Sequence, residues 1–342
     1  MVRPVLTRPG TNAPQRPRTA RAPGLASGFA ARALWWLCAM LPAPQASAFG
    51  AGVFGWIGPQ LPKHRHVLAN LRQVAPRASD AERAALARAV WRNLGAVMAE
   101  YPHLPTLVRE RVELRFDPGV RELMRPGQAI VFCAGHIANW ELIAAQIVAL
   151  GLPLCAVHAR LGNPSIERQL DRHRRRLGCS LIEKRGSARQ LVAALQRGAT
   201  VGLVADQRFD AGESVSFFDA PALTATTPAR LALRCDAPLV PVRVERLPGA
   251  RFRIHFLAPI PRPVDAPRQR DAARRMTEAF MQRLEAWIRV DPGSWLCTKR
   301  RWAKPRPIRV PARRAETPIE AGTGTGPGIG TGIGTGAGGH GA

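Results

Sequence analysis

Residues 131–142 read VFCAGHIANWEL, and this stretch sets the pattern for most of the chain. The apolar run QAIVFCA (128–134) predicts a buried strand, and IANWELIAAQIVALG (137–151) predicts a helix that ends at a glycine. His136 falls between them. In open α/β sheets, ligands bind beyond the carboxyl ends of the strands, which is where this histidine would lie. The stretch therefore predicts an α/β fold and a functional site at His136.

Strands and helices continue to alternate along the rest of the chain. The further predicted elements are strands over 152–159, 179–184 and 200–206, helices opened by Asn163-Pro164, Ser187 and Thr226-Thr227-Pro228, a loop holding Phe217-Phe218, a hairpin over 238–260 and a helix over about 268–290. Such alternation predicts an α/β fold with a mostly parallel sheet flanked by helices. Ahead of it, Ser79 to Glu82 has the pattern of a capping box that starts a long helix.

Composition divides the chain into four regions. Residues 1–25 predict a disordered basic arm, and residues 306–342 predict a disordered Pro- and Gly-rich tail. Residues 63–305 carry the α/β pattern and form the main domain. The segment between the arm and this domain, residues 26–62, predicts a helical membrane-anchoring region.

The anchor prediction rests on an uncharged stretch with tryptophans near its ends. No Asp, Glu, Lys or Arg occurs from Ala33 to Pro62, and Trp35, Trp36 and Trp56 suit a headgroup boundary. Prolines at positions 42 and 44 interrupt the stretch. A spanning helix and an interfacial one are therefore both open, as is a buried core helix.

The positive net charge of the chain favours an anionic binding partner. The 342 residues include 50 Lys and Arg against 24 Asp and Glu, which gives a net charge of +26. This favours nucleic acid, an anionic membrane face, a phosphorylated substrate or an acidic protein as partner. The six cysteines are scattered without any C-x-x-C pair, so we expect no disulfide framework, no metal site and no cofactor motif.

The pair His136 and Glu141 suggests base chemistry on a hydroxyl. A carboxylate on one ring nitrogen would fix the tautomer, so that the other nitrogen accepts a proton from substrate. Positions five apart do not share a helix face, so the two can meet only if His136 lies in the turn before the helix. No G-x-S-x-G elbow is present, which favours direct attack by a substrate hydroxyl over an acyl-enzyme. The alternative is a structural histidine beside a solvated glutamate.

Several short blocks, in order, resemble those of one family. GHIANWE at 135–141 resembles the GH-x-x-NWE block of the bacterial lipid A secondary acyltransferases of the lauroyl/myristoyl type, within the lysophospholipid acyltransferase superfamily defined by H-x4-D/E. The other matching blocks are Asn70-Leu71, Arg160 with Asn163-Pro164, Asp206-Gln207, and Phe217-Phe218 with Thr224, Thr226 and Thr227. The resemblance covers roughly residues 30–305. The sequence departs from it at Asp219 and Pro228, where the family has Gly, and in SWLCTKRRW near the end.

The resemblance implies a membrane-associated acyltransferase whose catalytic domain is residues 63–305. His136 would deprotonate a hydroxyl of a lipid A precursor, and Glu141 would orient the histidine. The oxygen would attack the thioester of an acyl carrier protein. Arg160 would meet the developing oxyanion or a substrate phosphate, and Asp206 and Gln207 would shape the floor of the pocket. Asn139 would bind substrate or merely cap the helix.

The same resemblance implies partners and a location. They are acyl carrier protein, a lipid A precursor or related glycolipid, and membrane lipids, at the cytoplasmic face of a bacterial inner membrane. One alternative is an acyltransferase for another glycolipid or a lysophospholipid, with acyl-CoA as donor. A second class is a non-enzymatic binder of nucleic acid or of a membrane surface. No nucleic-acid-binding motif supports that class, so we expect no nucleic-acid partner.

Overall fold

The computed structural model describes residues 25–158, 164–183 and 186–303. Within them, the helices are α1 Leu25–Met40, α2 Ala43–Ile57, α3 His64–Val74, α4 Asp80–Glu100, α5 Leu104–Glu110, α6 Val120–Leu123, α7 Glu141–Ala149, α8 Pro164–Arg176, α9 Ser187–Gln196, α10 Thr227–Arg234 and α11 Gln269–Val290. The strands are β1 Val112–Phe116, β2 Ile130–Ala134, β3 Leu154–His158, β4 Ser180–Glu183, β5 Thr200–Val204, β6 Glu213–Phe217, β7 Ala220–Thr224, β8 Leu239–Leu247 and β9 Arg251–Phe256. Three short 3₁₀ turns, Gly58–Gln60, Tyr101–His103 and Pro292–Ser294, connect some of these elements.

Seven of the strands form one mostly parallel sheet, as the sequence predicts. Their order is β1-β9-β8-β2-β5-β3-β4, and only the predicted hairpin pair, β8 and β9, runs antiparallel. All five residues of β2 are buried because the strand lies between β5 and β8, with helices on the sheet. Burying a side chain such as Phe132 contributes roughly 1.5–3 kcal/mol. The core thus fixes the strand that leads to His136.

A second, two-stranded sheet of β6 and β7 replaces the loop predicted around Phe217-Phe218. The two strands pair antiparallel and are joined by Phe218 and Asp219, both with positive φ, at 51° and 57°. Such angles belong to a two-residue type I′ turn, for which Asn-Gly is the usual signal. Glu285 holds the strained turn by accepting a hydrogen bond from the Phe218 amide at 2.6 Å.

Helix starts follow the sequence in some places and not in others. Ser79 caps α4 with a complete capping box, as expected: its hydroxyl accepts from the Glu82 amide, and its own amide donates to the Glu82 carboxylate. Ser187 was predicted to be a cap but is the first residue of α9, since the cap position belongs to Gly186. Helix α7 begins at Glu141 rather than at residue 137, because Ala138 has a left-handed φ of 50°.

The segment predicted to anchor the protein folds as two helices that break at Pro42. Helix α2 packs closely on α4, where the glycines at 50 and 95 bring the two backbones into contact. No helix in the described part of the chain is both long and apolar enough to cross a membrane. Anchoring by residues 26–62 stays a prediction. Residues 1–24 of the predicted arm (1–25) and the whole predicted tail (306–342) lie outside the described residues.

Candidate active site

The site forms where two neighbouring parallel strands end. Ala134 of β2 pairs with Val204 of β5, and the Ala205 amide donates to the Ala134 carbonyl at 3.0 Å. His136 and Asp206 each lie two residues beyond these paired positions. They therefore emerge side by side at the carboxyl edge of the sheet, where open α/β folds bind ligands.

His136 and Asp206 form a direct hydrogen bond. The His136 Nδ1 and Asp206 Oδ1 atoms lie 2.6 Å apart, with the aspartate side chain 1% exposed and the histidine 20% exposed. Trp295 donates to the other carboxylate oxygen, Oδ2, at 2.8 Å. Burial opposes ionisation of Asp206, but the charge and hydrogen bonds of His136 and the Trp295 bond outweigh it, so the pKa of the carboxyl is lowered.

This contact corrects the predicted partner of the histidine. A carboxylate on Nδ1 fixes the tautomer that leaves Nε2 free to accept a proton, and the sequence assigned this task to Glu141. The described structure gives it to Asp206, which we expected only to shape the pocket floor. The 70 residues between the two positions hide the pairing; the signal that reveals it is that both follow neighbouring strands.

Glu141 is tied to a different set of groups. Arg174 of α8 binds it through two hydrogen bonds, Nε to Oε2 at 2.9 Å and Nη2 to Oε1 at 2.6 Å, and Trp140 Nε1 donates to Oε1 at 3.0 Å. Burial raises the pKa of Glu141, but the Arg174 charge and these hydrogen bonds lower it by more, so the net shift is downward. Its link to His136 is indirect, because the His136 and Trp140 rings contact edge to face with centroids 5.1 Å apart.

The loop between β2 and α7 is clamped by a later segment of chain. Ile137 forms an antiparallel bridge with Trp295, the Ala138 amide donates to the Ser294 carbonyl, and the Leu296 amide donates to the His136 carbonyl at 2.8 Å. Gly135 lies against Leu284 of α11, where a Cβ atom would come within 2.6 Å. The base is therefore fixed through its backbone as well as its ring.

Asn139 is bonded to its neighbours inside the protein. Its side chain is fully buried, its Oδ1 accepts from the Glu141 amide at 3.2 Å, and its Nδ2 donates to Glu100 Oε2 at 2.8 Å. Asn139 lies one residue before the N-cap, Trp140, and its side chain closes a turn onto the amide of Glu141, the first residue of α7. Substrate binding by Asn139 stays a prediction, since both of its polar atoms have partners inside the protein.

Gln207 lies on the open side of the histidine. Its Nε2 atom is 3.5 Å from His136 Nε2, and its Oε1 accepts from Lys299 Nζ at 3.0 Å. A substrate hydroxyl that approaches Nε2 must meet or displace this amide. Gln207 therefore stays a candidate for substrate binding, and Lys299 joins it as a residue that the sequence missed. Arg160 and Asn163 lie outside the described residues.

The segment after α11 completes the site from the far end of the chain. Asn70 of α3 holds it: Nδ2 donates to the carbonyls of Cys297 and Lys299, and Oδ1 accepts from the Arg301 amide. Arg301 is 1% exposed and lies over the Phe217 ring, and burial lowers its pKa to about 10. Asn70 thus fixes the segment from Cys297 to Arg301, which carries Lys299.

The buried thiols near the site are poor nucleophiles. Burial and the nearby Asp206 charge raise the pKa of Cys133, and burial raises that of Cys297 to about 12. A thiol reacts as its thiolate, so both stay protonated at neutral pH. The histidine, oriented by a carboxylate and open on its other nitrogen, is the group that can accept a proton.

Fold and site together define an α/β protein with a carboxylate–histidine pair at the carboxyl edge of a parallel sheet. A family model described as bacterial lipid A biosynthesis acyltransferase matches residues 13–304. The chain belongs to this family. It is also 24% identical over 184 residues to the lipid A biosynthesis myristoyltransferase of Escherichia coli (strain K12). That match covers 52% of this chain and 57% of the relative's length.

Proposed function

We propose that this protein transfers a fatty acyl group from the thioester of an acyl carrier protein to a hydroxyl of a lipid A precursor. The observation that carries the proposal is the hydrogen bond of His136 to the buried Asp206, with the second ring nitrogen directed away from the carboxylate. Family membership supplies the reaction class and the acceptor class. The donor, the acceptor hydroxyl and the residue roles are part of the proposal.

The step needs one base and no covalent enzyme intermediate. His136 Nε2 takes the proton of the acceptor hydroxyl as that oxygen attacks the thioester carbonyl. The new C–O bond forms, the C–S bond breaks, and the histidine returns the proton to the departing sulfur. Asp206 stabilises the imidazolium that forms in between and keeps Nδ1 protonated, which raises the rate without itself exchanging a proton.

The charge on α8 supports an acidic donor or acceptor. Arg168, Arg172, Arg175 and Arg176 are exposed on this helix, while Arg174 between them turns inward to Glu141. An acyl carrier protein is acidic, and a lipid A precursor carries phosphates, so both would be attracted to this surface. The helix contacts the end of the loop that carries His136 through the Arg174–Glu141 pair, which supports the attraction of an acidic partner to this part of the protein.

We further propose that the protein works at the cytoplasmic face of the bacterial inner membrane, held by the α1–α2 pair. These two helices expose large apolar side chains at Trp36, Met40 and Trp56, which are 67%, 64% and 75% accessible. Apolar groups of this size concentrated on two neighbouring helices favour insertion into a lipid surface.

An acyl-transfer assay in detergent tests the function. Labelled acyl carrier protein is the donor and a tetra-acylated, Kdo-bearing lipid A precursor is the acceptor. Wild type is expected to transfer the label, and His136→Ala to lose about 10²–10⁴-fold in rate, the usual contribution of a general base. His255→Ala is the matched control: His255 also bonds a carboxylate, Asp117, at 2.7 Å, but on the β1–β9 side of the sheet.

Three other results would each change the proposal. Transfer from acyl-CoA in preference to the carrier protein would replace the donor. Transfer that survives His136→Ala would remove the mechanism while leaving the activity. Failure to transfer any acyl donor to any lipid acceptor, with nucleic-acid binding that washes off with salt, would favour the second class.

A further inference from the structure

A buried polar cluster lies directly beneath the loop that carries His136. We define the Glu100 cluster as five residues: Ser47, Asn93, Glu100, Asn139 and Arg246. Four of them are at most 8% exposed, and Glu100 is fully buried. They come from α2, α4, the His136 loop and β8, so the cluster joins four separate segments.

Glu100 is saturated by its neighbours. Oε1 accepts from the Ser47 hydroxyl at 2.6 Å and from Arg246 Nη1, and Oε2 accepts from Asn139 Nδ2 at 2.8 Å and from Arg246 Nη2 at 3.1 Å. The four hydrogen bonds come from three residues on α2, the His136 loop and β8, so the carboxylate ties these three segments to α4 at one point.

Arg246 extends the cluster to the middle of the loop. Its Nε donates to Asn93 Oδ1 at 3.1 Å, and Asn93 Nδ2 donates to the carbonyls of Ala138 and Ser294 at 3.1 and 2.9 Å. Ala138 is the residue with left-handed φ, a conformation that an alanine keeps only when its surroundings impose it. The asparagine therefore holds the strained residue and its clamp together.

A buried ion pair is a weak source of stability, because well-packed apolar side chains of similar volume often do as well or better. What such a pair supplies is a fixed arrangement. Within the described residues, the cluster contacts the middle of the loop at two points. Asn93 binds the Ala138 carbonyl, and Glu100 binds the Asn139 side chain. These contacts indicate that the Glu100 cluster positions His136 and does not only stabilise the fold.

We propose that Glu100 and Arg246 are positioning residues for His136, acting through Asn139 and Asn93 on the loop that carries it. The inference rests on the proposed acyl transfer. Disturbing the cluster should reduce kcat, because the base is displaced from the acceptor hydroxyl, and should leave KM within about twofold, since the side chains of the cluster are paired with one another beneath the loop.

The first test removes both charges at once. Glu100→Leu alone leaves Arg246 buried without its partner, so both melting temperature and kcat should fall. Glu100→Leu with Arg246→Met should recover melting temperature while kcat stays at least tenfold down, because two apolar side chains offer Asn139 and Asn93 no hydrogen bond. Recovery of kcat in step with melting temperature would overturn the proposal. Ile254→Ala, in the core of β9, is the control for a plain loss of stability.

The second test exchanges hydrogen-bonding groups across the cluster. Asn139→Asp places a second carboxylate beside Glu100 and should reduce kcat by tenfold or more. Adding Glu100→Gln gives the pair a donor and an acceptor again, with the roles reversed, and should restore part of that loss. If Asn139 acted on substrate, changing Glu100 would restore nothing.

Hydrogen exchange gives a reading that does not depend on activity. The Ala138 amide donates to the Ser294 carbonyl and the Glu141 amide donates to Asn139 Oδ1. Glu100→Leu should therefore speed the exchange of both amides at least tenfold, while Ile254→Ala should not do so selectively. Unchanged loop exchange with reduced kcat would overturn the positioning role. Absence of transfer by wild type would instead reject the proposed function, and the exchange result would still decide the inference.

Discussion

Two buried carboxylates, Asp206 and Glu141, lie near the two ends of the loop that begins at His136, and they have different surroundings. At one end, Asp206 faces a histidine that is partly open to solvent; at the other, Glu141 is enclosed by Arg174, Trp140 and Tyr101. The first carboxylate sits beside a group that can gain and lose a proton. The second sits beside a guanidinium that never does. Their difference separates a carboxylate suited to catalysis from one suited to holding a helix start in place.

Replacing each of the two carboxylates in turn should produce the largest difference between them. Asp206→Asn should lower kcat by about 10³–10⁴-fold, because the amide no longer favours the tautomer with Nε2 open. Glu141→Gln should cost far less in kcat. Steady-state rates for the two variants and for the control Asp117→Asn provide the measurement. A larger loss in Glu141→Gln would reverse the assignment of the orienting carboxylate.

Removing the guanidinium of Arg174 tests what the ion pair with Glu141 contributes to stability. Arg174→Met leaves Glu141 buried without its cation, and we expect a loss of about 2–4 kcal/mol in unfolding free energy, reduced from the fully buried case because Arg174 is 23% exposed. Denaturant titration measures it. Arg175→Met, the exposed neighbour, should change stability by less than about 0.5 kcal/mol. Equal effects would mean that the pair contributes nothing.

Acid should affect both carboxylates in the same direction. The pKa of each is lowered on folding, from 3.8 for Asp206 and from 4.5 for Glu141, so the unfolded chain binds more protons. The stability they supply is present above these values and is lost as pH falls through and below them. Melting temperature should therefore drop as the pH falls from about 5 to below 4, and less steeply in Glu141→Gln. Parallel curves for the two proteins would contradict this.

The smallest effect concerns the amide on the open side of the histidine. Gln207→Ala removes a contact of only 3.5 Å to Nε2, so we expect a change of about 2–10-fold in kcat/KM. Lys299→Met, which releases the same amide from its other partner, should act in the same sense. A loss as large as that of Asp206→Asn would make Gln207 part of the base itself.

The sheet was predictable because buried parallel strands leave continuous apolar runs, as at 130–134 and 200–204. The β6–β7 hairpin was not, since its turn uses Phe218 and Asp219 where a turn signal would show Asn-Gly. His136 was found from its place between a strand and a helix. Its partner was not, because contacts across parallel strands join residues far apart in sequence, whereas Glu141 was near in sequence but faced the other way.

The Glu100 cluster was even harder to predict from the sequence. Glu100 and Asn93 read as polar positions of a long amphipathic helix, and Arg246 as one of many arginines in a basic chain. Nothing local marks them as buried. Only the packing of α2, α4 and β8 around the loop brings them together, and that packing depends on contacts spread over 200 residues of sequence.

The contact between Gly50 and Gly95 limits which residues α2 and α4 can carry where the two helices touch. Each glycine faces the backbone of the other helix, so a methyl group at either position would force α2 away from α4. Neighbouring positions on α2 that face outward, such as Phe49 and Trp56, carry no such limit. The outer face of α2 can therefore vary with the surface it meets, while the position of Gly50 on its inner face admits hydrogen and nothing larger.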